Sequence, residues 1–254
     1  MEITVLGSGS ALPYARRNAP GFAIRAGTVF ALLDAGSGVL RRTAEAGIEL
    51  QRVPHLFLSH FHLDHTADLM PILFAKRQGL PRNGPLTVHG PPGLRALRDG
   101  LGVAYGKYVE PKGYELEWDE VDPTGARPAL DTDDLTVTAH AVDHEGQPAV
   151  AYRLSAGDGK TIAYSGDSGP CEGLVEAGRL ADLFVIDCAA PDAHPRKGHL
   201  TPGDAGRIGR EARARRLLLT HLSPEMDALD VVGAASRHFP GDVVVAEDLM
   251  RIKL

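Results

Sequence analysis

Three histidines and an aspartate occupy six consecutive positions in the stretch LFLSHFHLDHTADL, residues 56–69. They are His60, His62, Asp64 and His65. In an extended segment alternate side chains point the same way, so His60 and His62 can reach one cation with Asp64 nearby. His65 follows Asp64 directly and must point elsewhere, which favours two adjacent cations over a single tetrahedral site.

Three more ligand-type residues each stand at the end of a predicted strand. His144 follows LTVTAHAV, Asp167 ends KTIAYSGD, and His221 comes near the end of RRLLLTHL. The carboxyl ends of strands form the ligand-facing edge of an α/β sheet, and independent core histidines would have no reason to share that position. We therefore expect these residues to complete the metal site that the cluster begins.

The rest of the chain alternates strands and helices in two similar halves with no evident linker, and it predicts a single domain over residues 1–254. The segment 105–134 is rich in glycine, proline and acidic residues and is predicted as loop or edge structure. Strands are predicted at 2–6, 21–26, 28–34, 53–59, 135–142, 148–155, 160–167, 181–188, 215–222, 243–247 and 249–254, and helices from 37 to about 47 and at 69–76, 90–101, 201–213 and 224–238.

Composition excludes several classes of protein. The net charge of -6 gives no general electrostatic reason to bind nucleic acid or anionic membrane. Two cysteines cannot form a disulfide framework. The amino terminus shows no secretory signal, and no apolar stretch approaches the roughly 20 residues that span a bilayer. We expect a cytoplasmic protein that does not bind membranes.

The cluster SHFHLDH resembles the H-x-H-x-D-H signature of the metallo-β-lactamase superfamily, and LLDAGSG, VDHEG, SGDSG and LTHLS resemble its accompanying strand-end motifs in the same order. The resemblance covers nearly the whole chain and implies an α/β fold, a four-layer αββα sandwich with metals at one edge. It also implies two Zn²⁺ ions, which Mn²⁺ or Fe could replace. One would bind His60, His62 and His144; the other would bind Asp64, His65 and His221; Asp167 would bridge them.

Ligand types narrow the activity within this superfamily. The redox diiron branch carries a carboxylate in place of the second histidine, which here is His62, and the zinc β-lactamases carry a cysteine where Asp167 stands. The resemblance therefore implies a hydrolase in which two ions share a hydroxide that attacks a phosphodiester. Asp64 is the residue expected to hold or deprotonate the attacking water while it binds metal.

Two stretches resemble ribonuclease Z-type proteins. LGSGSALPYARRN is similar to their first loop, and KGHLTP to their H-x-[ST] motif, which supplies a histidine near the leaving group. His199 is therefore the candidate general acid, and a histidine carries a transferable proton near neutral pH. Asp187, at the end of a predicted strand, could orient His199 or simply end that strand.

The chain departs from ribonuclease Z between His144 and Asp167. Those enzymes insert a long basic arm there that grips tRNA, whereas this interval is 167 − 144 = 23 residues and reads as a hairpin. We therefore favour a phosphodiesterase for small molecules or cyclic nucleotides. A tRNA 3′ endonuclease is the alternative, because a partner chain could supply an arm, and an ester or lactone hydrolase is a further one.

Several features stay open. Arg207, Arg210, Arg213, Arg215 and Arg216 could form a solvated helix face or a patch that steers phosphate. His194 could touch substrate. A homodimer is expected from the resemblance. No sequence pattern identifies the substrate.

Overall fold

The computed structural model describes residues 1–79 and 83–254. Within them lie fourteen strands: β1 (Glu2–Gly7), β2 (Gly21–Ala26), β3 (Val29–Leu33), β4 (His55–Phe57), β5 (Leu86–Gly90), β6 (Leu116–Glu120), β7 (Leu130–Asp131), β8 (Leu135–Ala141), β9 (Val150–Ala156), β10 (Thr161–Tyr164), β11 (Leu183–Asp187), β12 (Arg216–Thr220), β13 (Asp242–Val245) and β14 (Arg251–Lys253). They form two seven-stranded sheets, ordered β14-β1-β2-β3-β4-β5-β6 and β13-β12-β11-β10-β9-β8-β7.

Seven α-helices lie in the described ranges: α1 (Val39–Glu45), α2 (Leu63–Thr66), α3 (Leu69–Arg77), α4 (Leu94–Tyr105), α5 (Glu172–Gly178), α6 (Pro202–Glu211) and α7 (Val231–Ser236). Short 3₁₀ turns occur at Leu50–Arg52, Gly106–Tyr108 and Pro224–Ala228. None of the described helices is long and apolar enough to cross a membrane.

The two sheets pack face to face through a shared apolar layer. Phe22 and Phe57 from the first sheet and Tyr152 and Val185 from the second lie in that layer, all with 1% exposure or less. A second cluster places α1, α3 and α4 on the outer face of the first sheet, and a third places α5, α6 and α7 on the outer face of the second. The predicted αββα sandwich is confirmed.

Central strands are buried along their whole length because helices cover one face and the other sheet covers the other. β11 is buried at every position, as the continuous apolar run LFVID predicts. β8 instead alternates between buried and partly exposed positions over most of its length. The segment 105–134 contributes the edge strands β6 and β7, in agreement with its prediction as edge structure.

Two helix predictions were wrong in detail. The helix predicted over 224–238 is a 3₁₀ turn followed by α7, because Leu229 is extended and the Asp230 carboxylate accepts a hydrogen bond from the Gly233 amide and so starts a new helix. The helix predicted over 90–101 starts at Leu94, after Gly93 in a left-handed conformation, and ends at Tyr105.

Strand direction brings the functional segments to one edge. β3, β4 and β5 run parallel to one another in the first sheet, and β10, β11 and β12 do so in the second. β8 and β10 both pair antiparallel with β9, so β8 also ends at the edge where β10 ends. The loops that follow these strands therefore meet at the same end of the sandwich.

Candidate metal centre

All seven predicted ligands lie at this edge. His60 and His62 occupy the loop after β4, and Asp64 and His65 lie in α2. The remaining three come from the second sheet: they follow β8, β10 and β12, and are His144, Asp167 and His221.

The first group of ligand atoms comes from His60, His62, His144 and Asp167, and these atoms all lie within 4.8 Å of one another. His62 Nδ1 is 3.0 Å from His144 Nε2, and His60 Nε2 is 3.7 Å from Asp167 Oδ2. Nitrogen ligands of one tetrahedral zinc ion stand about 3.3 Å apart for bond lengths near 2.0 Å, so the group has the dimensions of a metal site.

The second group contains Asp64, His65, His221 and again Asp167, within the same 4.8 Å limit. Asp167 Oδ1 lies 3.2 Å from His65 Nε2, and Asp167 Oδ2 lies 3.2 Å from His221 Nε2. Asp64 Oδ2 is 3.3 Å from His221 Nε2. Asp167 is therefore common to both groups, which is the position of a bridging carboxylate.

Outer hydrogen bonds aim the imidazoles inward. His65 Nδ1 donates to Asp34 Oδ2 at 2.7 Å, and His144 Nδ1 donates to the Gly198 carbonyl at 2.8 Å. With its Nδ1 held by an outer acceptor, each ring points its Nε2 at the centre, and Nε2 is the atom through which it would bind metal. His60 Nδ1 is held in the same way by the Ser59 hydroxyl at 3.0 Å.

Backbone strain marks two of these positions. Asp34 directly follows β3 with φ 57°, and His221 directly follows β12 with φ 60°. The left-handed region costs a residue with a side chain on the order of 1 kcal/mol, and such residues cluster at functional sites. The turn at His221 brings that side chain into the centre, and the turn at Asp34 places its carboxylate behind the ring of His65.

The centre leaves buried polar atoms without hydrogen bonds among the described residues: His60 Nε2, His65 Nε2 and Asp167 Oδ1. They lie close together but in poor hydrogen-bonding geometry. Buried polar atoms are nearly always satisfied, so such a cluster indicates a missing partner. A cation suits this position, because the atoms that lack a partner are imidazole nitrogens and a carboxylate oxygen. This donor set suits zinc and also manganese or iron.

The electrostatics agree with a cation site. Burial lowers the pKa of His60, and the neighbouring His65 lowers it further, so this imidazole is held neutral. Burial alone would raise the pKa of Asp167, but the charges of His221 and His65 hold it well below its usual range. Burial alone would lower the pKa of His65, but the charges of Asp167 and Asp34 raise it well above its usual range, so a bound cation would replace the proton that this ring otherwise carries.

His199 stands beside the metal ligands, with its ring centroid 5.2 Å from that of His144 and 5.3 Å from that of His221. Its Nδ1 donates to Asp187 Oδ2 at 3.0 Å. Burial alone would lower the pKa of His199, but this hydrogen bond and the charge of Asp187 raise it to about 9. The contact supports the interpretation in which Asp187 orients His199, although Asp187 also ends β11.

Sequence reasoning missed three residues. Asp34 lies within the quoted motif LLDAGSG but was given no role, and its position directly after a strand was the available signal. Gln147 Nε2 lies 2.8 Å from His62 Nε2. Arg196 lines the cavity at the metal ligands and pairs with Glu225. No motif singles out Gln147 or Arg196.

The structure locates the two features whose roles the sequence left open, His194 and the arginine series. His194 is exposed. It lines neither the cavity at the metal ligands nor the larger groove that lies beside that cavity. Three members of the arginine series form ion pairs: Arg207 with Asp204, Arg215 with Asp182, and Arg216 with Asp242.

An Asp34→Asn substitution tests how the second group is held. The amide removes the charged acceptor of the His65 ring, so we expect affinity for one of the bound ions to fall about 10–100-fold. Competition against a chromogenic chelator measures the affinities. Asp133→Asn, at an exposed aspartate, is the matched control, and equal metal affinities in both variants would show that Asp34 does not support the ligand.

The comparisons with known proteins agree with this geometry. The Beta-lactamase superfamily domain family matches residues 31–222. "Ribonuclease Z" of Nocardia farcinica is 31% identical over 304 aligned positions that cover 100% of this chain and 97% of the relative. "Uncharacterized protein ML1173" of Mycobacterium leprae is 34% identical over 256 positions that cover 96% and 85%.

Among solved structures, the metallo-β-lactamase fold protein YhfI from Bacillus subtilis superimposes with a TM-score of 0.84 and 26% identity, covering 99% of this chain and 98% of its own. The family match spans well over half of the sequence, and it coincides with the ligand-bearing segments. The chain belongs to the metallo-β-lactamase superfamily and has the architecture of its metal-dependent hydrolases.

Proposed function

We propose that this protein is a two-metal phosphodiesterase that hydrolyses small phosphodiesters, cyclic nucleotides among them. The observation that carries the proposal is the Asp167 carboxylate shared by two ligand groups, with the His199–Asp187 pair beside it. A second candidate, a ribonuclease Z-type tRNA 3′ endonuclease, is favoured by the names of several relatives.

The metal ligands would hold two Zn²⁺ ions, with His60, His62 and His144 at one and Asp64, His65 and His221 at the other. When bound, two such ions supply an activated water at neutral pH and offset negative charge on the phosphoryl oxygens. Asp64 faces the centre with its carboxylate 3.6 Å from His65 Nε2, where it can also accept a hydrogen bond from the attacking water.

His199 would act on the other side of phosphorus. Its Nδ1 proton is committed to Asp187, so Nε2 is the atom that transfers a proton to the leaving oxygen. An alkoxide is a poor leaving group, and its protonation as the P–O bond breaks lowers the barrier. Asp187 is fully buried and also accepts hydrogen bonds from the Ser168 and Leu200 amides, so it keeps this ring in one orientation.

Several observations favour a small substrate over tRNA. The interval between His144 and Asp167 is filled by the antiparallel hairpin of β9 and β10. The alignment to the Nocardia relative has 304 positions for the 254 residues of this chain, so at least 304 − 254 = 50 positions of the alignment have no counterpart here. The net charge of -6 also weakens the counterion-release contribution to nucleic-acid affinity.

The function is tested with metal-loaded protein and four substrates: cyclic AMP, bis(p-nitrophenyl) phosphate, a lactone and precursor tRNA. We expect turnover of the first two. Rapid removal of the tRNA 3′ trailer would reverse the ranking in favour of the endonuclease, and turnover of the lactone alone would replace the phosphodiesterase with an acyl hydrolase.

A His199→Gln variant tests the proton donor. We expect kcat to fall about 10²–10⁴-fold on a dinucleoside monophosphate, whose leaving alkoxide needs a proton. On bis(p-nitrophenyl) phosphate the loss should be far smaller, because p-nitrophenolate leaves without protonation. Equal losses on both substrates would show that His199 contributes binding or structure and transfers no proton.

The pH dependence tests the positioning residue. Because its pKa is raised, His199 stays protonated below about pH 9 and loses the proton above it in the metal-free protein; bound cations would lower that value by repulsion. Asp187→Asn removes the raising charge, so the alkaline limb of kcat should move to lower pH. NMR titration of the ring follows the same shift directly. An unmoved limb and an unmoved titration would contradict the assignment, whatever the loss of rate.

A further inference from the structure

A groove lies beside the cavity formed by the metal ligands, along the loop that precedes α6. Its volume is ≈ 860 Å³, whereas the cavity at the metal ligands has only ≈ 160 Å³. The groove runs from Gly169 and Gly198 over Lys197 to the start of α6, where Thr201 and Arg207 line it.

The two volumes indicate which part of a substrate each space can hold. Pockets that bind small organic ligands are typically about 300–1,000 Å³. The cavity at the metal ligands is smaller than this range and can take little more than the phosphoryl group. The groove falls within the range, so it has room for an organic substituent of that phosphoryl group.

His199 and Arg196 line both cavities and so stand at their junction. On the proposed function, the His199 Nε2 proton goes to the leaving oxygen. Water adds to phosphorus, the P–O bond to that oxygen breaks, and the products are a phosphomonoester and an alcohol. The alcohol departs from the side of phosphorus that His199 faces, which is the side where the groove begins.

The side chains that line the groove indicate which kind of alcohol it can bind. Among the described residues the groove has no phenyl, phenol or indole side chain, so it offers no extended aromatic face for stacking. It offers carboxylates from Asp143 and Asp192 and basic groups instead, whereas the Thr201 hydroxyl is held in the cap of α6. Such mixed donors and acceptors match the hydroxyl groups of a sugar.

Lys197 differs from the other basic groups of the groove. Arg196 pairs with Glu225, and Arg207 donates to Asp204 at 2.6 Å. Lys197 is exposed, and no carboxylate of the described residues lies within 4.0 Å of its amine. Its amine can therefore donate to a ligand without first breaking an ion pair.

We propose that the groove is a leaving-group subsite for a hydroxylated sugar, as in a nucleoside, and that Lys197 is a specificity-determining residue that donates a hydrogen bond to it. This proposal rests on the phosphodiesterase activity proposed above. It adds that the substrate carries its sugar on the leaving oxygen.

Two substrates with opposite arrangements test the subsite. Dithymidine monophosphate places a sugar on the leaving oxygen, whereas thymidine 5′-(p-nitrophenyl phosphate) keeps its nucleoside on the retained side and releases p-nitrophenol. For Lys197→Ala we expect KM to rise about tenfold on the first substrate, as the loss of one charged hydrogen bond predicts, and less than about twofold on the second. Lys112→Ala, at an exposed lysine outside the groove, is the control and should match the wild type on both.

Inhibition by thymidine gives an independent readout, since the released alcohol should occupy the same groove. Its inhibition constant should rise in Lys197→Ala and stay unchanged in Lys112→Ala. Equal effects of Lys197→Ala on the two substrates would overturn the subsite while leaving the phosphodiesterase in place. A wild-type protein that hydrolyses cyclic AMP and bis(p-nitrophenyl) phosphate but not dithymidine monophosphate would overturn it as well. Failure on every phosphodiester would remove the proposed function itself.

Discussion

The carboxylate of Asp167 is buried among imidazole nitrogens that approach it from both sheets, and the hydrogen bonds of the chain do not satisfy this arrangement. A buried anion without adequate partners is costly, so this edge of the sandwich suits cations. The left-handed turns at Asp34 and His221 and the hydrogen bonds behind the rings follow from this requirement. They place or hold imidazole rings around the same small volume.

The fold supplies this convergence through strand direction. Ligands from β4, β8, β10 and β12 belong to segments far apart in sequence, yet these strands all end at one edge because they run in the same direction within their sheets. The helices stay on the outer faces and bury apolar side chains, so the edge remains open to substrate. His199 enters from the loop between β11 and α6, which places the proposed proton donor beside the ligand set.

Much of this could be predicted from the sequence. The spacing of SHFHLDH and the repeated placement of histidine or aspartate after apolar runs indicated both the site and the sheet edge, because strand ends and ligand types are local signals. Asp34, Gln147 and Arg196 were not assigned roles, since their contacts join segments distant in sequence and depend on side-chain direction. The break between the 3₁₀ turn and α7 was missed because a single cap at Asp230 decides it. The groove beside His199 has no sequence signature, as its shape arises from loop packing.

The central claim is that one carboxylate joins two metal ions, and the magnetic interaction of bound Mn²⁺ tests it most directly. Protein reconstituted with Mn²⁺ should bind two ions per chain and give the electron paramagnetic resonance spectrum of an exchange-coupled pair, as expected for ions roughly 3.5–4 Å apart. In Asp167→Asn the coupled signal should be lost or strongly weakened. A single bound ion, or two ions with uncoupled spectra in the unmodified chain, would contradict the account.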